Sequence, residues 1–294
     1  MASTAELAEI ARQCRVDTIK ELRSAQSGHP GSSLSAMDVM VALYFGDFLR
    51  HRSDEPDWPD RDHFLLSAGH AVPGLYSVLT HAGYADPKVL KGLRSLGTGL
   101  EGHAKRGTFP GVEASSGSLG QGLNLGIGLA LGLRHAGRPG RVFVLQSDGE
   151  QEEGSVWEGA MSAAKWNLGN LVTIVDKNEN QINGPTRVIM PSLDPLPEKY
   201  ESFGWATREI KGNDMDDVVA GLEWAVGRPG PSALISHTET GHPISYMRGD
   251  YHWHHGVIND ELFLQAMAEL NEPVSPTPDD TWLPGHPAER AGVA

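Results

Sequence analysis

A carboxylate stands at the end of a continuous apolar run. Val142-Phe143-Val144-Leu145 has the composition of a buried strand, and it runs out at Ser147-Asp148-Gly149. Thirty residues after Asp148, beyond a second apolar run at 171–175, comes Asn178. One strand–helix–strand unit separates the two, which delivers both side chains to neighbouring strand ends. A carboxylate, an amide oxygen and a backbone carbonyl make a hard-oxygen set suited to Mg²⁺ or Ca²⁺. Gly149 lets backbone approach whatever such an ion carries. An Asp-Gly pair after a strand is also an ordinary turn, so the pair alone leaves both readings open.

A second group of residues suits an anion. Ser115-Ser116-Gly117-Ser118-Leu119-Gly120-Gln121-Gly122 leads into an apolar helical stretch. Small residues at a helix start leave backbone N–H groups open to negative charge. No Gly-Lys-Ser/Thr follows, so this is not a P-loop, and tight helix packing is the rival explanation. Histidines form the third group. Four of the thirteen stand out in Gly-containing loops: His29 in SGHPG, His70 in SAGHA, His103 in LEGHA and His255 in HHGV. Convergent imidazoles can hydrogen-bond hydroxyls or phosphate oxygens and move protons near neutral pH. Zinc has little sequence support, because the one close His cluster is 252–255 and the single cysteine, Cys14, is remote from it.

The elements that must position these groups are legible from periodicity. Strand-like runs occur at 63–67, 142–146, 171–175, 205–210 and 233–237. Helical spacing occupies 3–24, 35–49, 71–82, 119–135, 155–167, 214–227 and 260–270, and SAQSGHPGSS reads as a loop. Alternating strands and helices predict an α/β fold with a mainly parallel central sheet and helices on both faces. In such sheets the chemistry sits at the carboxyl ends of strands. Here those ends run into SAGHA, SDGE, DKNENQING and the His-rich loop TETGHPISYMRGDYHWHHG. From residue 271 the chain turns Pro-rich and loses periodicity, which predicts a domain over 1–270 and a tail over 271–294.

Composition bounds the function. The 294 residues carry a formal charge of −14 and are 39% hydrophobic. That balance opposes a nucleic-acid backbone as partner. It also predicts that a phosphorylated ligand is held by N–H groups, histidines and a metal rather than by lysines. One cysteine permits no disulfide within the chain, and no signal-peptide core opens it, so a cytoplasmic setting is expected. The longest apolar stretch, 123–133, is too short and Gly-rich to span a membrane.

SGHPGSSLSAMDVMVALYF, RDHFLLSAGHA, LEGHAKRGTFPGVEASSGSLGQGL, SDGEQEEGSVWEGAMSAAKWNLGNLVTIVDKNENQINGPT and the HHG loop together resemble transketolase over roughly residues 5–265. The closer resemblance is to the N-terminal, diphosphate-binding subunit of a split transketolase, with its thiamin-diphosphate-binding fold. The resemblance implies thiamin diphosphate held through Mg²⁺ or Ca²⁺, with Asp148, Asn178 and the backbone carbonyl of Asn180 as metal ligands. It implies that His70, Gly117, Ser118, Leu119, Gly149, Asn178 and His255 lie against the cofactor. His29, His103 and His255 would face substrate hydroxyls and assist proton transfer, and Glu153 would sit at a subunit interface and couple two active sites. The implied activity moves a two-carbon ketol unit from a ketose, typically a sugar phosphate, to an aldehyde acceptor. It would require a separate C-terminal, pyrimidine-binding subunit, most simply in a heterotetramer.

Three departures accompany the resemblance. Ser147 replaces the usual first glycine of Gly-Asp-Gly. Ala104 follows His103 where proline is common, which predicts a looser loop. The sequence also lacks the pyrimidine-binding half of a full-length transketolase. Alternatives share the metal motif: the alpha chain of a thiamin-dependent 2-oxo acid decarboxylase or dehydrogenase, a deoxyxylulose-phosphate synthase, a two-carbon transferase of a specialised pathway, or a non-catalytic cofactor-binding subunit. The SGHPG and LEGH histidines favour a polyhydroxylated donor over pyruvate.

Overall fold

The computed structural model describes residues 2–274. The chain opens with α1 (Thr4–Ala25), α2 (Pro30–Ser35) and α3 (Met37–Phe45), then β1 (His63–Leu66) and α4 (Val72–His81). Next come α5 (Gly122–His135), β2 (Val142–Ser147), α6 (Gly154–Lys165) and β3 (Leu171–Lys177). A small hairpin, β4 (Asn180–Gln181) and β5 (Gly184–Pro185), leads to α7 (Thr186–Ile189) and α8 (Leu196–Ser202). The remainder is β6 (Ala206–Lys211), α9 (Met215–Val226), β7 (Ser232–His237) and α10 (Asp260–Glu269).

All five main strands are parallel, in the order β1-β2-β3-β7-β6. The five runs singled out by hydrophobicity are the five strands. Strands β2 and β3 are buried along their whole length, as expected where helices cover both faces. Alternate residues then feed two cores. Phe143 and Leu145 pack with Val172, Ile174 and helices α1, α3, α4 and α9. Val142 and Val144 face the other way, toward Leu123 and Ile127 of α5 and Ala160 of α6. Strand β6 is an edge, and its Arg208, Glu209 and Lys211 fit the half-exposed pattern of a strand with one open side.

Local chemistry sets several boundaries. Ser3 caps α1 reciprocally with Glu6: the Glu6 N–H donates to Ser3 Oγ (3.3 Å) and the Ser3 N–H to the Glu6 carboxylate (2.8 Å). Asn259 Oδ1 accepts the Leu262 N–H at 2.9 Å and starts α10. One segment differs from its sequence-based reading. HPGSS is not loop: Pro30 opens the short helix α2, with His29 at its N-cap. A proline lacks an N–H and has its φ preset for a first helical turn.

The far end also differs. Glu272, read as part of a tail, is buried and ion-paired to Arg12 (3.5 Å) and Lys20 (3.8 Å) of α1. The ordered body therefore runs past 270, and the rest of the proposed tail, 275–294, lies outside the described residues. Among the described residues, no helix is long and apolar enough to cross a membrane.

Candidate active site

The carboxyl ends of β1, β2 and β3 converge on a cavity of about 300 Å³. Asp148 lies at its floor, 1% exposed, directly after β2. One carboxylate oxygen accepts the Gly149 N–H (2.8 Å), and the other accepts the Glu179 N–H (3.0 Å) and the Thr186 hydroxyl (2.9 Å). Burial pushes the Asp148 carboxyl up to about 7; the Thr186 hydrogen bond opposes the shift and nearby Asp176 adds to it. Asp176, the end of β3, is pushed up to about 6 by burial, against hydrogen bonds from Ser35, Thr238 and Asn178. No lysine or arginine among the described residues pairs with either carboxylate.

Asn178 leaves β3 beside Asp148. Its Nδ2 donates to Asp176 Oδ2 (3.2 Å) and its Oδ1 accepts the Asn180 N–H (3.1 Å). The amide is thereby pinned with its oxygen on the loop that carries Asn180. The Asn180 carbonyl accepts a hydrogen bond from the His254 ring. A carbonyl has a second lone pair, so it remains able to face a cation as well.

The donor chemistry fits a hard divalent ion: one buried carboxylate without a basic partner, one amide oxygen and one carbonyl. A cation there would reverse the desolvation cost that raises the Asp148 pKa. Among the described residues, no three His, Cys, Asp or Glu side chains gather to hold a metal by themselves.

The glycine loop borders the cavity, but not as a bare helix N-terminus. Gly120 N–H is already given to Glu150 Oε1 (2.8 Å) and Gly122 N–H to Ser67 Oγ (3.1 Å). The Ser67 hydroxyl also donates to Glu150, a buried carboxyl that further accepts the Ser147 N–H at 3.3 Å. These bonds clamp the loop to β1 and to the SDG turn. Two glycines show why the clamp is tight: a Cβ on Gly122 would lie 2.2 Å from Ser67 Oγ, and one on Gly69 would lie 2.9 Å from Gly117 N. What remains for an anion is the stretch 117–119, where Gly117 (φ +141°) and Leu119 line the cavity. The N–H groups of Gly117 and Leu119 have no protein acceptor among the described residues. The helix-start reading is corrected to a loop reading, because the helix-proximal donors are spent internally.

Imidazoles form the opposite wall. The His29 ring lies 5.3 Å from His70, 5.7 Å from His103, 5.6 Å from His254 and 4.9 Å from His255, centroid to centroid. His70 Nε2 meets Ser32 Oγ at 3.0 Å. Burial holds His70 down to about 3 and His29 down to about 2, and neighbouring imidazoles add to both shifts. Burial, and then Arg94, lowers His103 as well. The lowered basicity keeps His29, His70 and His103 neutral at physiological pH.

Their loops are tied together. The Gly241 N–H reaches the Gly31 carbonyl (3.1 Å) and the Gly256 N–H reaches the Gly28 carbonyl (3.0 Å). The His-rich loop is thus stitched along SGHPG on both sides of His29. Ala104 loosens nothing: it is buried, and its carbonyl accepts the Ser116 N–H at 2.9 Å, joining the His103 loop to the glycine loop.

Most of the residues chosen from sequence come together here. His29, His70 and His103 line the cavity with Asp148, Gly149 and Glu153, as do Gly117, Leu119, Asn178 and Asn180. Two do not. Ser118 sits in the bend ahead of α5, is exposed and does not line the cavity. His255 is exposed and meets the cluster through the His29 ring, whereas His254 lines the cavity. The turn Tyr251–His254, capped by Asp250 Oδ1 on the His252 N–H (3.0 Å), decides which histidine of the tract faces inward. Sequence reading missed His254, Ser32 and Glu150. The HWHHG tract signalled an inward histidine without saying which one.

A parallel sheet whose strand ends pair an oxygen-donor set with an anion-facing glycine loop defines a diphosphate-binding α/β unit of the thiamin type. Residues 5–270 match the family model described as transketolase, thiamine diphosphate binding domain. The chain is 38% identical over 251 residues to one of the apulose-4-phosphate transketolase subunits of Phocaeicola vulgatus, covering 84% of this chain and 88% of that protein. It is 36% identical to a 6-deoxy-6-sulfo-D-fructose transketolase subunit of a Clostridium species, covering 87% and 92% respectively. Among solved structures, transketolase from Leishmania mexicana superposes with a TM-score of 0.87 at 28% identity, over 99% of this chain and 44% of that one. The chain therefore spans under half the length of that solved transketolase, while matching the subunit relatives nearly end to end. It belongs to the transketolase family, a family of transferases, as its thiamin-diphosphate-binding part.

Proposed function

We propose that this chain is the diphosphate-binding subunit of a two-part transketolase, working with a separate pyrimidine-binding chain, in the simplest assembly a heterotetramer. The observation that carries this is the cavity itself. An oxygen-donor set around Asp148 faces the free N–H groups of the 117–119 loop, and a wall of neutral imidazoles stands opposite. The two relatives just named carry the names of transketolase subunits, and both have nearly this chain's length, which supports the divided assembly.

In this reading Asp148, Asn178 and the Asn180 carbonyl hold Mg²⁺ or Ca²⁺, and Gly117, Leu119 and Gly149 pass close to the diphosphate. Bound thiamin diphosphate supplies the carbanion stabilisation that two-carbon transfer requires. His29, His70 and His103 orient the hydroxyls of a ketose donor by hydrogen bonds, and their low basicity keeps them neutral while they do so. Glu153, exposed and lining the cavity in this chain, would meet the partner. Residues 1–270, extended by the Glu272 anchor, form the cofactor-binding domain. Among the relatives, names point to apulose 4-phosphate and 6-deoxy-6-sulfo-fructose, so the donor and acceptor here extend beyond pentose phosphates as candidates.

Calorimetric titration of thiamin diphosphate, with and without Mg²⁺, tests the site. Asp148→Ala is expected to abolish the metal-dependent binding, and unchanged binding would defeat the assignment. Ketol transfer from xylulose 5-phosphate to ribose 5-phosphate is expected only when the chain is purified with the partner encoded beside it. Activity of the chain alone would overturn the divided assembly.

A further inference from the structure

We propose that Arg94 is a positioning residue that fixes His29 as an Nε2–H hydrogen-bond donor to the cavity. Arg94 stands in the left-handed region (φ +58°) just after the 3₁₀ segment Pro87–Gly92, and its own N–H is held by the Leu100 carbonyl at 2.8 Å. From there the guanidinium reaches back to SGHPG. Nη1 donates to Ser27 Oγ at 2.5 Å, and Nη2 lies 3.4 Å from His29 Nδ1. Its Nε side is wedged against Gly102, where a Cβ would come within 2.7 Å of it. Glycine before His103 is what admits the side chain. Among the described residues no carboxylate pairs with this half-buried cation, so its orientation is set by Ser27 and His29 alone.

The tautomer follows from the donor inventory. A guanidinium carries N–H groups only and accepts nothing. Its contact with Nδ1 therefore engages the Nδ1 lone pair, and a neutral imidazole then keeps its single proton on Nε2. Every group facing His29 opposes a second proton. Arg94 is a permanent cation, the surroundings are buried, and the other neighbours are the rings of His70, His103, His254 and His255. Among the described residues no carboxylate pairs with the ring, although Asp148, Glu152 and Glu153 line the same cavity, and the ring is held down to about 2.

Given the cavity as a sugar site, His29 then donates to a hydroxyl or carbonyl oxygen of substrate and does not accept a proton from it. That narrows the proton-shuttling role implied by the resemblance. It also explains why Arg94, held by Ser27 and admitted by Gly102, lies behind His29.

The test reads the ring directly and needs no substrate, cofactor or partner, so its failure is separable from failure of the functional reading. The protein is labelled with ¹⁵N-histidine, and His29→Gln identifies the His29 signals in long-range ¹H–¹⁵N correlation spectra between pH 5.5 and 8.5. The expected wild-type result is a single Nε2–H tautomer that does not titrate. In Arg94→Met, a mixture of tautomers or titration inside that range is expected, and Arg94→Lys should recover part of the wild-type pattern. An Nδ1–H tautomer in the wild type would overturn the proposal, as would an unchanged spectrum in Arg94→Met. If Arg94→Met does not fold, the wild-type tautomer and the Ser27→Ala variant, which frees Nη1 alone, still decide the matter.

Discussion

Replacing Asp148 by asparagine should make the metal-free protein less sensitive to alkaline pH while removing its response to cofactor. The carboxyl is buried and pushed up to about 7 from an ordinary 3.8. The folded chain thus holds a proton that the unfolded chain releases between those values, and stability falls as pH rises through that window. The stability lost through this carboxyl therefore grows across that window, by on the order of a few kcal/mol between pH 5 and pH 8. The variant lacks this titration.

Asparagine also changes hydrogen bonds to Gly149, Glu179 and Thr186, but that contribution does not vary with pH. His29 and His70 act in the opposite sense. Their depressed values make stability rise with pH up to their unfolded range, and they do so equally in both proteins. The quantity to measure is the difference in unfolding free energy between variant and wild type, from urea titrations in chelator. Between pH 5 and pH 8 it should move in the variant's favour by a few kcal/mol, on the order of the loss above. With Mg²⁺ and thiamin diphosphate added the order should invert, because ligand binding stabilises only the wild type. A pH-independent difference would refute the desolvated carboxyl, and equal ligand stabilisation of both would refute its place in the metal site.

Other expectations follow from the same geometry. Below pH about 7, protons compete with the ion for Asp148, so the apparent Mg²⁺ affinity measured by calorimetry should fall roughly tenfold per pH unit; a flat profile from pH 5 to 7 would contradict this. Glu150→Ala leaves the Gly120 N–H and Ser67 hydroxyl without their buried acceptor, a loss of about 1–3 kcal/mol. Thermal unfolding reads that loss, and cofactor titration should show weakened diphosphate binding from a residue that does not line the cavity. Gly31→Ala places a methyl 2.8 Å from the Trp253 carbonyl oxygen and 2.6 Å from Thr240 Cγ2. The backbone cannot yield as a side chain would, so about 1–3 kcal/mol should be lost, with faster hydrogen exchange at Gly241 and Gly256; unchanged exchange there would show that the loop is not stitched through SGHPG.

How much of this was legible without coordinates depends on the range of the interaction. Strands β2 and β3 announce themselves because burial on both faces demands uninterrupted apolar residues, a purely local signature. The same logic places Asp148 and Asn178 at adjacent strand ends, since a parallel pair with one crossover brings equivalent ends together. Glycine flanking marks His29, His70 and His103, because close backbone approach leaves a compositional trace.

The rest was settled by contacts distant in sequence. That the Gly120 and Gly122 N–H groups are consumed by Glu150 and Ser67 depends on packing β1 and the SDG turn against the loop. That His254 rather than His255 faces the cavity depends on one 3₁₀ turn, whose phase no local pattern specifies. Arg94 reaches His29 across 65 residues. Residue types and spacing therefore determined which chemistry this protein could hold and on which rim of the sheet. Only the tertiary structure decided which donors are spent internally, which histidine turns inward and what holds it there, because hydrogen-bond satisfaction is a property of the assembled three-dimensional neighbourhood.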